Sequence, residues 1–118
     1  MTTNRKRKNA TRTTIDAFDI GDDLRITKTT RRASGAGTWV IGKIAGHRFD
    51  ALVFPEHADC PDYELDDSRI SKIWLQRLSD KATVVNFDRG WDVRPTTKAA
   101  QAIVDFLAAG LADHIYHQ

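Results

Sequence analysis

The sequence contains few cysteines and few prolines. It contains one cysteine, Cys60, and three prolines among 118 residues. A lone cysteine cannot form an internal disulfide or a multi-cysteine zinc site, and it is typical of reducing compartments. No apolar run approaches the roughly 20 residues of a membrane-spanning helix, and the basic residues after Met1 precede no apolar segment of the kind found in secretory signals. We therefore expect a cytoplasmic protein that does not enter a membrane.

Charge is unevenly distributed along the chain. Residues 1–32 contain nine Lys or Arg and four Asp, a net charge of +5, whereas residues 33–118 contain nine Lys or Arg and twelve Asp or Glu, a net charge of −3. A basic segment attracts polyanions because binding releases their condensed counterions. Residues 1–14 are too polar to form a core and are expected to be a disordered arm. The residues expected to contact nucleic acid are Arg5, Lys6, Arg7, Lys8, Arg12, Arg31 and Arg32.

The remaining residues fit one domain of ordinary composition. Residues 15–37 follow no consistent period and end in Ser34-Gly35-Ala36-Gly37, so we expect a poorly defined N-terminal segment and linker there. Residues 38–118 are expected to form the folded domain.

Alternating apolar and polar residues predict antiparallel strands after Gly37. Gly46-His47 is predicted to be the turn of the first hairpin, because glycine at the first central position is typical of type II′ turns. Asp88-Arg89-Gly90 is either a tight turn or a bulge. The predicted strands are Trp39–Ala45, Arg48–Phe54, Arg69–Leu78 and Thr83–Arg94.

Apolar residues spaced by 3.6 positions predict a helix from Lys98 to His117, capped by Thr96 or Thr97. The expected fold is therefore α+β, an antiparallel meander of four or five strands with one C-terminal helix packed on one face. The predicted core consists of Trp39, Ile41, Ile44, Phe49, Ala51, Val53, Ile73, Leu75, Val85, Phe87, Ile103, Phe106, Leu107, Leu111 and Ile115.

The stretch from Pro55 to Asp67 contains two prolines and six acidic residues, which predicts a long surface loop. His57, Asp59, Cys60 and Asp62 are residue types that bind metals, but their spacing matches no recognised site. We expect a solvated loop without a metal. The chain also lacks a recognisable nucleophile motif or phosphate-binding glycine loop, so we expect no catalytic residue, no cofactor and no enzyme.

The run from Asp88 to Asp92 has two interpretations. Arg89 and Trp91 are types enriched in interaction hot spots, whereas Asp and Gly are also what turns require, with Trp91 then in the core. The structural interpretation is favoured. If the helix leaves the even-numbered face of Arg69–Leu78 uncovered, an interaction patch is expected there, suited to a host protein or a second copy of this chain. Its residues are Lys72, Trp74, Arg89 and Trp91.

Three runs resemble a known family. They are Gly42 to Phe54, the Arg-Ile-Ser-Lys run starting at Arg69, and Asn86 to Asp92 with its Asp-Arg-Gly-Trp-Asp sequence. They are similar to a family of small uncharacterised bacterial, plasmid and phage proteins known only as a domain of unknown function, over about residues 38–117. The resemblance implies no activity. It does imply a mobile-element setting, in which small binders of nucleic acid or host proteins are common.

Two functional hypotheses therefore stay open. The first is a small non-catalytic binding protein that contacts nucleic acid through its basic arm. The second is a protein interaction module, an inhibitor or adaptor, that uses the open face of the sheet. An uncharacterised enzyme is a third and less favoured alternative.

Overall fold

The computed structural model describes residues 23–33 and 35–116, which form one antiparallel sheet and one long helix. The six strands follow one another in the sheet in chain order. The α+β meander with a C-terminal helix is thus confirmed, with six strands rather than four or five. The predicted arm, residues 1–14, and His117 lie outside the described residues. The elements are β1 (Arg25–Arg31), β2 (Thr38–Ile44), β3 (His47–Val53), β4 (Ile70–Arg77), β5 (Thr83–Asp88), β6 (Trp91–Val93) and α1 (Lys98–Tyr116).

Strand β1 lies in the segment that was expected to be a poorly defined linker. It pairs antiparallel with β2, from Arg25 opposite Lys43 to Arg31 opposite Thr38. The register shifts between Ile26 and Lys28, so a bulge interrupts the alternation of side chains between the two faces. This bulge, in a strand that is mostly exposed, explains why the sequence shows no two-residue period there.

The first hairpin turns one residue earlier than predicted. Ile44 pairs with His47, and the two turn residues are Ala45 (φ 49°) and Gly46 (φ 74°). Positive φ at both central positions is the requirement of a type I′ turn. In β2, the buried positions are Thr38, Val40, Gly42 and Ile44.

The predicted core is therefore wrong at Trp39 and Ile41. Both side chains belong to the alternate positions of β2, which are only partly buried. Successive residues of a strand point to opposite faces, so placing Trp39 and Ile41 beside Ile44 in the core broke the alternation. Eleven core predictions are confirmed by burial: Ile44, Phe49, Ala51, Val53, Ile73, Leu75, Val85, Phe87, Ile103, Leu107 and Leu111.

Helix α1 packs its apolar stripe on the face of the sheet that carries Val40, Phe49 and Leu75. Its buried residues are Ala100, Ile103, Val104, Leu107, Leu111 and Ala112. The stripe is thus rotated toward Val104 and Ala112 relative to the prediction, so Phe106 and Ile115 are only partly buried.

Both ends of α1 are fixed by hydrogen bonds. Thr97 Oγ1 accepts from the backbone N–H of Ala100 at 3.0 Å, the predicted N-cap. At the other end the Tyr116 hydroxyl donates to the carbonyl oxygen of Val53 at 3.1 Å and bonds the Thr38 hydroxyl at 2.8 Å. The C-terminal end of the helix is thereby attached to the ends of β2 and β3.

Gly42 tests the packing of β2 against its neighbours. A Cβ at this position would lie 2.6 Å from the carbonyl oxygen of Arg25 and 2.7 Å from the Phe49 ring. We expect Gly42→Ala to lower the free energy of unfolding by about 1–3 kcal/mol, because the added methyl overfills the core. Urea unfolding measures the change. The control is Gly110→Ala, where the space is open and the helix should gain about 0.5–1 kcal/mol. Equal behaviour of the two variants would contradict the packing described.

Candidate functional site

The face of the sheet opposite α1 carries polar, cationic and aromatic side chains. Strand pairing aligns them in rows that cross the sheet. One row runs Thr30, Trp39, Leu52, Lys72 and Asp88. The next runs Lys28, Ile41, Asp50, Trp74 and Asn86. A third contains Arg25, Lys43, Arg48 and Gln76. We call this surface the open face.

A groove of about 600 Å³ lies where the open face meets the loop from Pro55 to Asp67. The loop supplies one wall, and Arg89 in the turn between β5 and β6 supplies another. Arg32, just after β1, also lines the groove. Other residues that contribute to the floor and walls are Trp39, Leu52, Phe54, Glu56, His57, Asp59, Tyr63, Ser71 and Lys72.

The loop wall is built around the carboxylate of Glu64, whose side chain is only 4% exposed. Its Oε1 accepts from the backbone N–H of Ala58 at 2.7 Å. Its Oε2 accepts from His57 Nδ1 at 2.6 Å and from the backbone N–H of Arg69 at 2.8 Å. One buried carboxylate thus joins the start of the loop to the start of β4.

These contacts also determine the charge state of Glu64. Burial favours the neutral acid, but the hydrogen bonds from Ala58, His57 and Arg69 favour the carboxylate. Together they outweigh burial and hold the pKa of Glu64 below its usual value. The loop is therefore held by an ionised group.

Two arginines lie against aromatic rings in the groove. The Arg89 guanidinium lies 6.0 Å from the ring centroid of Tyr63, and that of Arg32 lies 5.7 Å from Phe54. Both distances are those of cation–π contacts. Tyr63 is 52% exposed, an unusual position for a large aromatic residue. Arg89 also has a positive φ of 54°, and such backbone conformations cluster at functional sites.

A smaller recess of about 230 Å³ adjoins the groove and shares Trp39 and Lys72 with it. Trp74 also lines the recess. Its indole N–H donates to Thr83 Oγ1 at 3.1 Å, and the Arg48 guanidinium lies 5.9 Å from its ring. The polar side chains of this recess are Asp50, Lys72, Asn86 and Asp88.

The structure brings together three of the four residues of the expected interaction patch. Lys72 and Trp74 lie on the open face, and Arg89 lines the groove beside Lys72. Trp91 lies on the other face, edge-to-face with Phe87 at 5.2 Å between ring centroids. The register explains this position, because Trp91 pairs directly with the core residue Phe87.

The residues expected to contact nucleic acid fall into two groups, those that the structure describes and those that it does not. Arg32 lines the groove, and Arg31 is exposed at the end of β1, opposite Thr38. Arg5, Lys6, Arg7, Lys8 and Arg12 lie outside the described residues. Trp39 was predicted to lie in the core, and neither Trp39 nor Tyr63 was predicted to be a site residue. Tyr63 could have been identified from the sequence, because it is an aromatic residue within a polar, acidic loop.

The structure groups His57 with Glu64 and Asp67, not with Asp59, Cys60 and Asp62. Ligand-type atoms of these three residues lie within 4.8 Å of one another. Both oxygens of Glu64 already accept hydrogen bonds, however, including one from His57. The structural role of Glu64 in holding the loop accounts for this arrangement.

A comparison with models of protein families matches most of the described chain. A family model described as Domain of unknown function (DUF7678) matches residues 38–112. The chain belongs to this family. No curated protein and no solved structure matches the chain. The match begins at β2 and ends within α1, so it includes the groove loop and the open face from β2 onward. Within residues 23–33 and 35–116, no helix has the length and apolar character that crossing a bilayer requires.

Replacing Glu64 tests whether its charge holds the loop. At neutral pH we expect Glu64→Gln to lower the free energy of unfolding by about 1–3 kcal/mol, because the amide leaves a buried N–H without an acceptor. The folded-state pKa is lowered, so the contribution of Glu64 is present above its ordinary value of 4.5 and disappears as the pH falls through the folded value.

Urea unfolding of wild type and variant between pH 7 and pH 3 would measure this effect. The difference in stability should shrink below the ordinary pKa of glutamate. Glu56→Gln, an exposed acid in the same loop, is the control and should change little. A difference between wild type and Glu64→Gln that stays constant with pH would contradict the role of the ionised carboxylate.

Proposed function

We propose that the protein is a small non-catalytic binder of single-stranded nucleic acid, and that the strand lies in the groove and across the open face. The observation that carries the proposal is the convergence of cationic and aromatic side chains on one groove. Arg32, Lys72 and Arg89 line it together with Trp39, Phe54 and Tyr63. Cations that follow a phosphate backbone and rings that stack on bases are the two components of single-strand binding sites.

The charges of the groove favour an anionic ligand on one side. Lys72 and Arg89 share a weak pairing with Asp88, at 3.5 Å and 3.9 Å. Long, partly solvated pairs of this kind contribute little stability, so a phosphate can compete for both cations. Glu56 and Asp59 lie on the loop wall. The anionic backbone is therefore expected along the Lys72 and Arg89 side.

Single strands are favoured over duplexes because of the aromatic residues. Tyr63 stands exposed at the groove, and Trp39 lies between the groove and the smaller recess. Only unpaired bases offer free faces for stacking on such rings. A paired duplex would present its phosphates but no base face to Tyr63.

The basic arm gives a second contact region in this proposal. The segment from Leu24 to Gly37 contains four Lys or Arg and no acidic residue, and its last basic residue, Arg32, lines the groove. Residues 1–14 would then add electrostatic affinity to a site whose base contacts come from the sheet. The family assigns no activity, and the expected mobile-element setting and cytoplasmic location stay predictions.

Binding of labelled oligonucleotides tests the proposal. Titration of DNA and RNA single strands by fluorescence anisotropy should show affinity that falls with salt, with a log–log slope of about −2 if three groove cations contact phosphates. Tyr63→Ala should weaken binding by about fivefold to a hundredfold, because one stacked base is lost. Lys72→Ala should weaken binding to all sequences and make the slope shallower by about 0.7.

The matched control is Lys98→Ala, which removes the same charge at the start of α1, away from the open face. It should retain wild-type affinity. Deleting residues 1–14 should weaken binding further without removing the effect of Tyr63→Ala. Preferential binding to duplexes, or no binding at low salt, would contradict the proposal. The earlier alternative, a host-protein or homodimer contact through Lys72 and Trp74, would then be favoured.

A further inference from the structure

The bulge in β1 determines which side chains of this edge strand reach the open face. In a regular strand Arg25 and Lys28 would point to opposite faces, because they are an odd number of residues apart. Here Arg25 pairs with Lys43, and after the register shift Lys28 pairs with Ile41. Residues directly opposite each other on paired strands point to the same face, and the β2 partners both belong to the open face. The bulge therefore places both cations on that face.

The basic side chains on this edge form a row that begins in the groove. Arg32, just after β1, lines the groove and lies over the Phe54 ring. From Arg32 to Arg25 the row is about 23 Å long at the usual rise per residue of a strand. Its members in β1 and β2 are exposed. We call this row the β1 track, and it consists of Arg25, Lys28, Arg32 and Lys43.

The far end of the β1 track contains an unfavourable pair. Arg25 and Lys43 are directly opposite each other on neighbouring strands, and like charges in this position destabilise a sheet. An anion bound between the two side chains removes the repulsion. Departures from local rules of this kind are expected at functional sites.

Strand β2 adds an apolar surface beside the β1 track. Trp39 lies opposite Thr30, and Ile41 lies opposite Lys28. Both apolar side chains are only partly buried. A row of cations therefore runs next to a row that contains an indole ring, as in sites where the backbone and the bases of a single strand are bound separately.

We propose that the β1 track binds the phosphate backbone where the single strand leaves the groove, with the bases over Trp39 and Ile41. The inference rests on the single-strand binding site proposed above. The strand crosses the sheet in the groove, from Lys72 and Arg89 to Arg32, and then turns along β1. The complete site is longer than the groove alone, within the range of about 4–16 nucleotides found for single-strand binding domains.

Arg31 offers a matched control, because it is next to Arg32 in the chain but points to the other face. It pairs with Thr38, whose hydroxyl bonds the Tyr116 hydroxyl of α1. Arg31 is therefore an exposed cation on the helix side of the sheet. Charge alone predicted nucleic-acid contacts for both arginines, and the geometry of the strand separates them.

Anisotropy titrations of the full chain with thymidine oligonucleotides of about four and about twelve nucleotides test the inference. Lys28→Ala should leave the affinity for the short oligonucleotide unchanged, because that oligonucleotide fills only the groove. It should weaken binding of the long one by about fivefold at about 0.1 M salt and make its log–log slope shallower by about 0.7. Arg31→Ala removes the same charge from the same strand and should keep wild-type affinity for both lengths.

The possible failures are distinguishable. Equal weakening by Lys28→Ala and Arg31→Ala, equal weakening of both lengths, or no effect on the long oligonucleotide overturns the β1 track. If Tyr63→Ala still weakens binding in those cases, the single-strand proposal is left intact. No binding of either oligonucleotide at low salt overturns both. Arg25→Ala repeats the test at the far end of the β1 track, so it decides the inference even if Lys28→Ala unfolds.

Discussion

A six-stranded sheet has two faces, and the described part of this chain supplies one α-helix to cover them. Helix α1 buries the face that carries Phe49 and Leu75. The opposite face has to meet its surroundings with its own side chains, and long cationic residues lie beside its exposed rings, as Arg48 does over Trp74. The open face and its groove exist because one helix covers only one of the two faces of the sheet.

A second constraint shapes the groove, because its loop wall contains one buried charged group, the carboxylate of Glu64. An ionised carboxylate inside a protein is tolerated when its oxygens are hydrogen-bonded, and Glu64 meets this condition with groups at positions 57, 58 and 69. Those partners come from both ends of a long loop. Satisfying Glu64 therefore closes the loop into a wall, and Arg69 extends this connection by hydrogen bonding to Pro55 and pairing with Asp113 on α1.

The helix and strands β2 to β6 could be predicted because their signals are local, although β5 and β6 were predicted as one range with a turn or bulge at Asp88-Arg89-Gly90. Phe49, Ala51 and Val53 share one face of β3 whichever residues form the turn. The face assigned to each residue of β2, by contrast, depended on where the turn was placed. The type I′ turn needs positive φ at Ala45, a non-glycine residue, so Gly46-His47 looked more favourable than Ala45-Gly46. Of the site, Lys72, Trp74 and Arg89 could be found from residue type. The role of Glu64 could not, because it depends on contacts that exist only after the loop folds back.

The basic N-terminal part of the chain adjoins the face of the sheet that α1 leaves uncovered. Basic residues continue from the leader through β1, which forms an edge of the sheet, and the last of them, Arg32, lines the groove. Long-range attraction by such a segment accelerates encounter with a polyanion, whereas residence time depends on close contacts. In the proposed single-strand binder, the leader and the open face therefore have separable roles. Attraction depends on the net charge of the leader, whereas close contact depends on the aromatic and cationic side chains that the sheet holds in register.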